Sequence, residues 1–137
     1  MKIRMANAWE MIAIRNTAHF KTCLEETHRP NKDGSWFKKL AFRSKRFRFV
    51  AELEGHVRGY LVGVLANGKG RVEDFLICTN DGMAEISHAL LEIFEVHCLQ
   101  RRCQSILAPD WMDEMLIKAR GFRRSGSLYI KSFCPRA

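Results

Sequence analysis

The sequence predicts a single mixed α/β domain over residues 1–137: a mostly antiparallel sheet of six to seven strands flanked by about four helices. Three observations carry that prediction. The chain is one domain's worth, with 47% hydrophobic and 28% charged residues, enough for an ordinary globular core. Residues 46–53 alternate apolar and polar side chains and residues 57–65 carry the longest β signal, with two short turns, "LEGH" and "ANGKG", placed as in consecutive hairpins. Beyond residue 78, helical periodicity and short apolar runs take turns.

Taken in order, "KIRMA" (2–6) alternates and predicts a short first strand. Asn7, with Glu10 three residues on, has the spacing of a capping box. Trp9, Ile12, Ala13, Phe20 and Leu24 follow at helical spacing, predicting one helix that ends before "THRPNKDG", where Pro30 and Gly34 punctuate. Ser35 can cap a second short helix, "WFKKLAF". "RFRFVAEL" (46–53) and "VRGYLVGVL" (57–65) predict a hairpin, and "RVEDFLIC" (71–78) a further strand. After "TNDG", where Asn80 or Asp81 can cap, Ile86, Leu90, Ile93, Phe94 and His97 share one helical face. "SILAP" (105–109) predicts a buried strand, and Asp110 a cap for "WMDEMLIKAR". Gly121 can end that helix in the left-handed conformation, and "FRRSGSLYIKSF" closes as a hairpin about Ser125-Gly126.

The net charge of +8 is unevenly placed. Residues 29–48 carry +7, residues 49–99 carry −5 and residues 100–137 carry +5. A basic surface therefore flanks an acidic middle, which suits a polyanionic ligand such as a nucleotide-containing cofactor and leaves nucleic acid open. "FKKLAFRSKRFRF" (37–49) interleaves aromatics with cations as single-strand binders do, although a half-buried strand explains its alternation equally well. No apolar run approaches the ~20 residues of a membrane span, and the N-terminus lacks a signal-type apolar stretch, so a cytoplasmic location is expected. The five cysteines (23, 78, 98, 103 and 134) form no C-x-x-C pair. Cys78 and Cys98 are expected as buried free thiols. "HCLQRRC" (97–103) does not place three ligands on one helical face, so no metal is expected.

Four stretches resemble the GNAT superfamily of N-acetyltransferases, the acyl-CoA N-acyltransferase fold. "FVAELEGHVRGYLVGVL" (49–65) is similar to the family's central hairpin, and "VEDFLIC" (72–78) to its fourth strand. "EISHALLEIFE" (85–95) is similar to the helix that usually begins "GIGSALLE", and "MLIKARGFRRSGSLYIKS" (115–132) to the closing "LYEKLGF" segment. The resemblance implies acetyl-CoA lying in a gap between the fourth and fifth strands, with pantetheine paired to the fourth strand's backbone. It implies a pyrophosphate held by N–H groups of a loop of the form R/Q-x-x-G-x-G/A and of the helix behind it.

On this sequence the resemblance assigns the pantetheine to Leu76, Ile77 and Cys78 and the pyrophosphate to the loop 79–87, with Gly82, Met83, Ala84 and Ser87 as contacts. Two registers are open. One keeps the family's loop length and puts Glu85 and Ser87 at the glycine positions; the other puts Gly82 and Ala84 there. In the first, Glu85 would repel the pyrophosphate by roughly 4 kcal/mol at about 4 Å and an effective dielectric of about 20. Arg101, Arg102, Arg123 and Arg124 are candidates to offset that charge. The resemblance implies a base from Glu73 or Asp74 on the fourth strand. The usual tyrosine acid is replaced by Ile117, leaving Tyr129 as the substitute. The implied activity is transfer of an acetyl group to an unidentified amine. A non-catalytic binding or regulatory module of the same fold is the alternative, and homodimerisation stays open.

Overall fold

A computed structural model describes residues 1–25, 45–79 and 82–133. The chain runs β1 (Lys2–Met5), α1 (Ala8–Arg15), α2 (Ala18–Glu25), β2 (Lys45–Leu53), β3 (His56–Ala66) and β4 (Lys69–Ile77). It continues with α3 (Met83–Gln100), β5 (Ser105–Pro109), α4 (Glu114–Ala119), β6 (Arg123–Ser125) and β7 (Leu128–Ser132). The strands form one seven-stranded sheet in the order β1-β2-β3-β4-β5-β7-β6. Every neighbouring pair is antiparallel except β4 and β5, which are parallel.

The two hairpins form for the reason their turn residues give. Glu54 and Gly55 (φ 54° and 80°), and Asn67 and Gly68 (φ 54° and 73°), occupy two-residue loops with positive φ at both positions. That backbone twist matches the flanking strands, and glycine at the second position makes it accessible. At Gly63 the requirement is different: a Cβ there would lie 2.2 Å from the Phe94 ring of α3. The missing side chain is the slot into which the helix packs.

The sheet separates two apolar layers. On one face Phe49, Leu61, Val72 and Ile106 pack against Ile86, Leu90, Leu91 and Phe94 of α3 and Ile117 of α4. On the other, Val50, Tyr60, Val62, Leu76 and Cys78 pack against Met11, Ile14, Phe20 and Leu24 of α1 and α2.

Several expectations are corrected. The first helical run is two helices, because at Thr17 the side chain competes for the local backbone. The Thr17 hydroxyl donates to the Ile14 carbonyl at 2.8 Å and accepts the Phe20 N–H at 3.4 Å. The break re-aims the buried face to Met11, Ile14, Phe20 and Leu24, leaving Trp9, Ile12 and Ala13 exposed. The cap of α4 is Asp113, whose carboxylate accepts the Met115 N–H at 3.1 Å, since residues 110–112 are taken up by a turn. Asn7 does cap α1, accepting the Glu10 N–H at 2.8 Å, while Glu10's own carboxylate pairs with Arg4. The helix expected over 36–42, the cap at Asn80 or Asp81, and residues 37–44 of the basic run lie outside the described residues.

Candidate active site

β4 and β5 pair over three rungs only, Lys69 with Ser105, Gly70 with Ile106 and Arg71 with Leu107. Past them β5 pairs with β7 and β4 with β3, so the two parallel strands diverge. The gap opens into a cavity of about 800 Å³. Phe75, Leu76 and Ile77 of β4 form its floor, Met83, Ala84, Ser87 and His88 of α3 one wall, and Trp111, Met112, Asp113, Met115, Leu116 and Ala119 the other. Its lining is apolar apart from Ser87, His88 and Asp113.

Strand geometry sets which backbone groups face this gap. The Cys78 N–H donates to the Arg58 carbonyl of β3 at 2.6 Å, so by alternation Leu76 and Cys78 turn their backbone toward β3. Ile77 and Phe75 turn theirs toward the gap. The Phe75 N–H is accepted by Asp74 Oδ1 at 2.9 Å, which leaves the N–H and carbonyl of Ile77 as the edge best placed for an added strand. Of the three residues expected to offer backbone there, Ile77 has the right direction. Leu76 is at the cleft but turns its side chain into the α1–α2 layer, and Cys78 does not line the cleft.

Glu73 and Asp74 are decided by a β-bulge. The register between β3 and β4 shifts between Val62 and Gly63, pairing Val62 with Asp74 and Gly63 with Val72 and leaving Glu73 unopposed. Gly70 and Val72 lie on the α3 face. The bulge puts Glu73 and Asp74 together on the opposite one, where strict alternation would have allowed only one of them. Asp74 is buried among donors: Arg15 Nη1 at 3.0 Å and Tyr60 Oη at 2.9 Å both reach its Oδ2. Its acceptor sites are committed to holding α1 against the sheet.

Glu73 instead lines a second cavity of about 450 Å³, with Val64, Ala66, Asn67, Lys69, Arg71 and Leu107. Burial pushes its carboxyl above the usual range, opposed by Arg71 and Arg46 and reinforced by Asp74. A carboxylate at the point of divergence, held toward its neutral form, has the character of a proton acceptor.

The first turn of α3 points its unbonded N–H groups toward the cleft's mouth. Gly82 holds the N-cap position with φ 71°, and the first intrahelical bond runs from the Ile86 N–H to the Gly82 carbonyl at 2.9 Å. The amides of residues 83–85 therefore have no intrahelical acceptor. The helix starts at Met83, with Gly82 at its N-cap and Ala84 and Glu85 in its first turn, so both registers of the loop remain open. Glu85 is exposed and does not line the cleft.

None of Arg101, Arg102, Arg123 and Arg124 lines the cleft. Arg101 and Arg102 lie past the far end of the 18-residue α3, about 27 Å along its axis from Gly82. Arg124 donates to Tyr129 Oη at 3.3 Å. Tyr129 is itself buried in the α3-side core, and Ile117 beside it is fully buried, so neither presents an acid to the cleft.

A further correction concerns one of the cysteines. Cys78 is not a free thiol but is bonded to Cys23, with Cα atoms 6.3 Å apart. Cys98 and Cys103 are free and buried, and burial pushes the Cys98 thiol well above its ordinary range, as expected of an inert one. Sequence reasoning missed the whole α4-side wall and the Arg15–Asp74–Tyr60 cluster. For the wall the available signal was "WMDEM", whose large apolar residues fall before the helix rather than on its buried face.

No family model matches this sequence, and no curated protein matches it. Solved structures do. The aminoglycoside 6'-acetyltransferase type Ii aligns with a TM-score of 0.76 over 100% of both chains, at 11% identity. A GNAT family acetyltransferase from Brucella melitensis in complex with acetyl-CoA aligns with a TM-score of 0.73 at 16% identity, covering 99% of this chain and 90% of that one. An aminoglycoside 6'-N-acetyltransferase complexed with coenzyme A aligns with a TM-score of 0.71 at 10% identity, covering 100% and 99%. The chain has the fold of the GNAT acetyltransferases.

Proposed function

We propose that the protein is an acyl-CoA-dependent N-acetyltransferase acting on an amine. The observation that carries this reading is the divergence of β4 from β5 at Arg71 and Leu107, with an apolar cavity of about 800 Å³ on one side of it and a carboxylate on the other. The likeness to structures holding acetyl-CoA and coenzyme A supports the same ligand here.

The residues present fit that ligand in kind. Ile77 offers backbone to a pantetheine amide, Phe75, Met83 and Leu116 an apolar trough, and the amides of residues 83–85 a seat for phosphate oxygens. Acetyl-CoA would supply the activated acyl carbonyl. Glu73 would take the proton of the attacking amine, and Asp74, locked by Arg15 and Tyr60, would hold the bulge that aims it. Neither Ile117 nor the buried Tyr129 would reprotonate the departing thiolate, so much of the rate would come from positioning, with the proton drawn from solvent. Among the described residues no Lys or Arg lines the cleft, so phosphate affinity there would rest on backbone amides and the helix dipole.

The test is direct. Acetyl-CoA should raise the melting temperature, and thiol release from acetyl-CoA should depend on an added amine across a panel of polyamines, aminoglycosides and peptide N-termini. No stabilisation by any CoA thioester would defeat the reading. Stabilisation without thiol release on any amine would favour the alternative, a non-catalytic GNAT-fold binding module. The committed state of Asp74 and the lack of an acid at Ile117 are the observations on that side. Nucleic-acid binding has less support: of the basic run, Arg46 and Arg48 are half-buried on β2. No helix among the described residues is long and apolar enough to cross a membrane.

A further inference from the structure

His19 and Cys23 stand four residues apart on α2, so both project from one face of that helix. The face meets the end of β4, where Cys78 is buried. One ring nitrogen of His19 and the sulfurs of Cys23 and Cys78 all lie within 4.8 Å of one another. The His19 ring is fixed there by its Nε2, 2.8 Å from the Cys78 carbonyl oxygen. Among the described residues no other trio of His, Cys, Asp or Glu comes so close.

We propose that in the reduced protein His19, Cys23 and Cys78 bind a thiophilic metal ion, Zn²⁺ being the natural occupant. Tetrahedral zinc takes sulfur at about 2.3 Å and nitrogen at about 2.0–2.1 Å, which sets ligand atoms roughly 3.3–3.8 Å apart. The trio needs sub-ångström to ångström adjustments of side chains to meet that spacing, with the two sulfurs parting once their bond is reduced. Two thiolates and one imidazole suit Zn²⁺ or Cu⁺ and disfavour Mg²⁺ or Ca²⁺. The burial is graded, Cys78 buried, Cys23 half-buried and His19 exposed, so the fourth position faces solvent and would hold water or an exogenous ligand. Binding exchanges two thiol protons for the ion: Zn²⁺ and two S–H groups become a zinc dithiolate and two protons.

The disulfide is the competing state. With glutathione disulfide as oxidant, the Cys23–Cys78 bond forms while one glutathione disulfide is reduced to two glutathiones, which carry away the two thiol hydrogens. The metal then has no thiolate to bind. Either state ties α2 to the end of β4, directly after the residues that floor the cleft, so the site links the redox and metal supply of its surroundings to the order of that strand end. The inference is independent of the acetyltransferase reading, because it rests on α2 and Cys78 alone.

The experiment uses the full chain, reduced and stripped of metal, titrated with Co²⁺ as a spectroscopic probe and then with Zn²⁺ against a chromophoric chelator. The expected result is one ion per chain, a thiolate-to-cobalt charge-transfer band, and about two protons released per ion near neutral pH. Cys23→Ser and His19→Ala should each weaken binding by more than about tenfold, since changes outside the coordination shell alone cost 10–100-fold. Circular dichroism should show both variants folded; His19 is exposed, so its variant remains informative if Cys23→Ser is not. Cys98→Ser, Cys103→Ser and Cys134→Ser should bind as the parent does, and full oxidation by glutathione disulfide should abolish binding. The proposal is overturned by absence of the charge-transfer band, by binding indifferent to His19→Ala and Cys23→Ser, by dependence on Cys98, Cys103 or Cys134, or by binding that survives oxidation.

Discussion

Asp74→Asn tests whether that carboxylate is structural. Both partners of the Arg15–Asp74 pair are nearly buried, with side-chain exposures of 9% and 8%, and they meet at 3.0 Å. At an effective dielectric of about 20, the gross attraction at that separation is roughly 5 kcal/mol. The asparagine side chain keeps an acceptor for Tyr60 but removes the negative charge that the Arg15 guanidinium meets at 3.0 Å. Removing one partner of a buried pair costs about 3–5 kcal/mol, because an uncompensated charge remains. For a chain of this size that is a melting-temperature loss of roughly 10–20 °C. Urea unfolding at constant m-value measures it. Arg15→Met alone should be similarly costly, since it removes the cation facing Asp74, whereas Arg15→Met with Asp74→Asn should recover more than half of the loss. A single-variant loss under about 1 kcal/mol, or a double variant as unstable as the sum of the singles, would refute the reasoning.

Three other outcomes follow from the same geometry. Glu73→Gln should leave melting nearly unchanged but lower kcat/KM by about 10²–10⁴-fold. In the parent, kcat/KM should climb with pH through a pKa above the ordinary carboxylate range, a limb the variant lacks. The sign for stability is opposite: the native state keeps Glu73 protonated to higher pH than the unfolded chain does, so its contribution is lost as pH rises through the raised pKa. Glu85→Gln should tighten acetyl-CoA by less than about tenfold, as expected of an exposed and screened charge; a gain near a thousandfold by calorimetry would favour the register that puts Glu85 on the pyrophosphate. Gly63→Ala should cost about 1–3 kcal/mol or more by urea unfolding, because its Cβ would meet Phe94 at 2.2 Å, and Phe94→Leu should offset part of that loss.

The fold was legible because its signals are local. Alternation marks β2 and β-branched and aromatic residues mark β3, Asn67-Gly68 specifies a hairpin turn, and Gly121 adopts the left-handed conformation expected of it, with φ 89°. What was not legible depended on competition or on distance. Thr17 lies within an unbroken helical pattern, and the helix divides where both its N–H and its hydroxyl donate to the Ile14 carbonyl. Cys23 and Cys78 are 55 residues apart, and no spacing rule brings them together; α2 folding onto the end of β4 does. The cleft's location followed from element order, but its α4 wall did not, since Trp111 and Met112 take their positions from the turn before Asp113 rather than from a helical period.

The bulge at Glu73 shows most clearly how the site depends on what period-two alternation hides. In a regular strand Glu73 would share a face with Phe75 and Ile77, toward α3, and Asp74 alone would face α1. The inserted residue lets both carboxylates occupy the α1-side face with different fates, one saturated by Arg15, Tyr60 and the Phe75 N–H, the other lining a cavity beside Arg71. Two adjacent acids thereby acquire opposite electrostatic settings, the arrangement in which one can hold geometry while the other exchanges a proton. The saturation of Asp74 also anchors the backbone that makes the bulge, since its Oδ1 takes the amide that would otherwise compete at the gap. The bulge, the ion pair and the diverging strands are therefore interdependent, and loss of Arg15 should disturb the position of Glu73 even though the two residues belong to different elements.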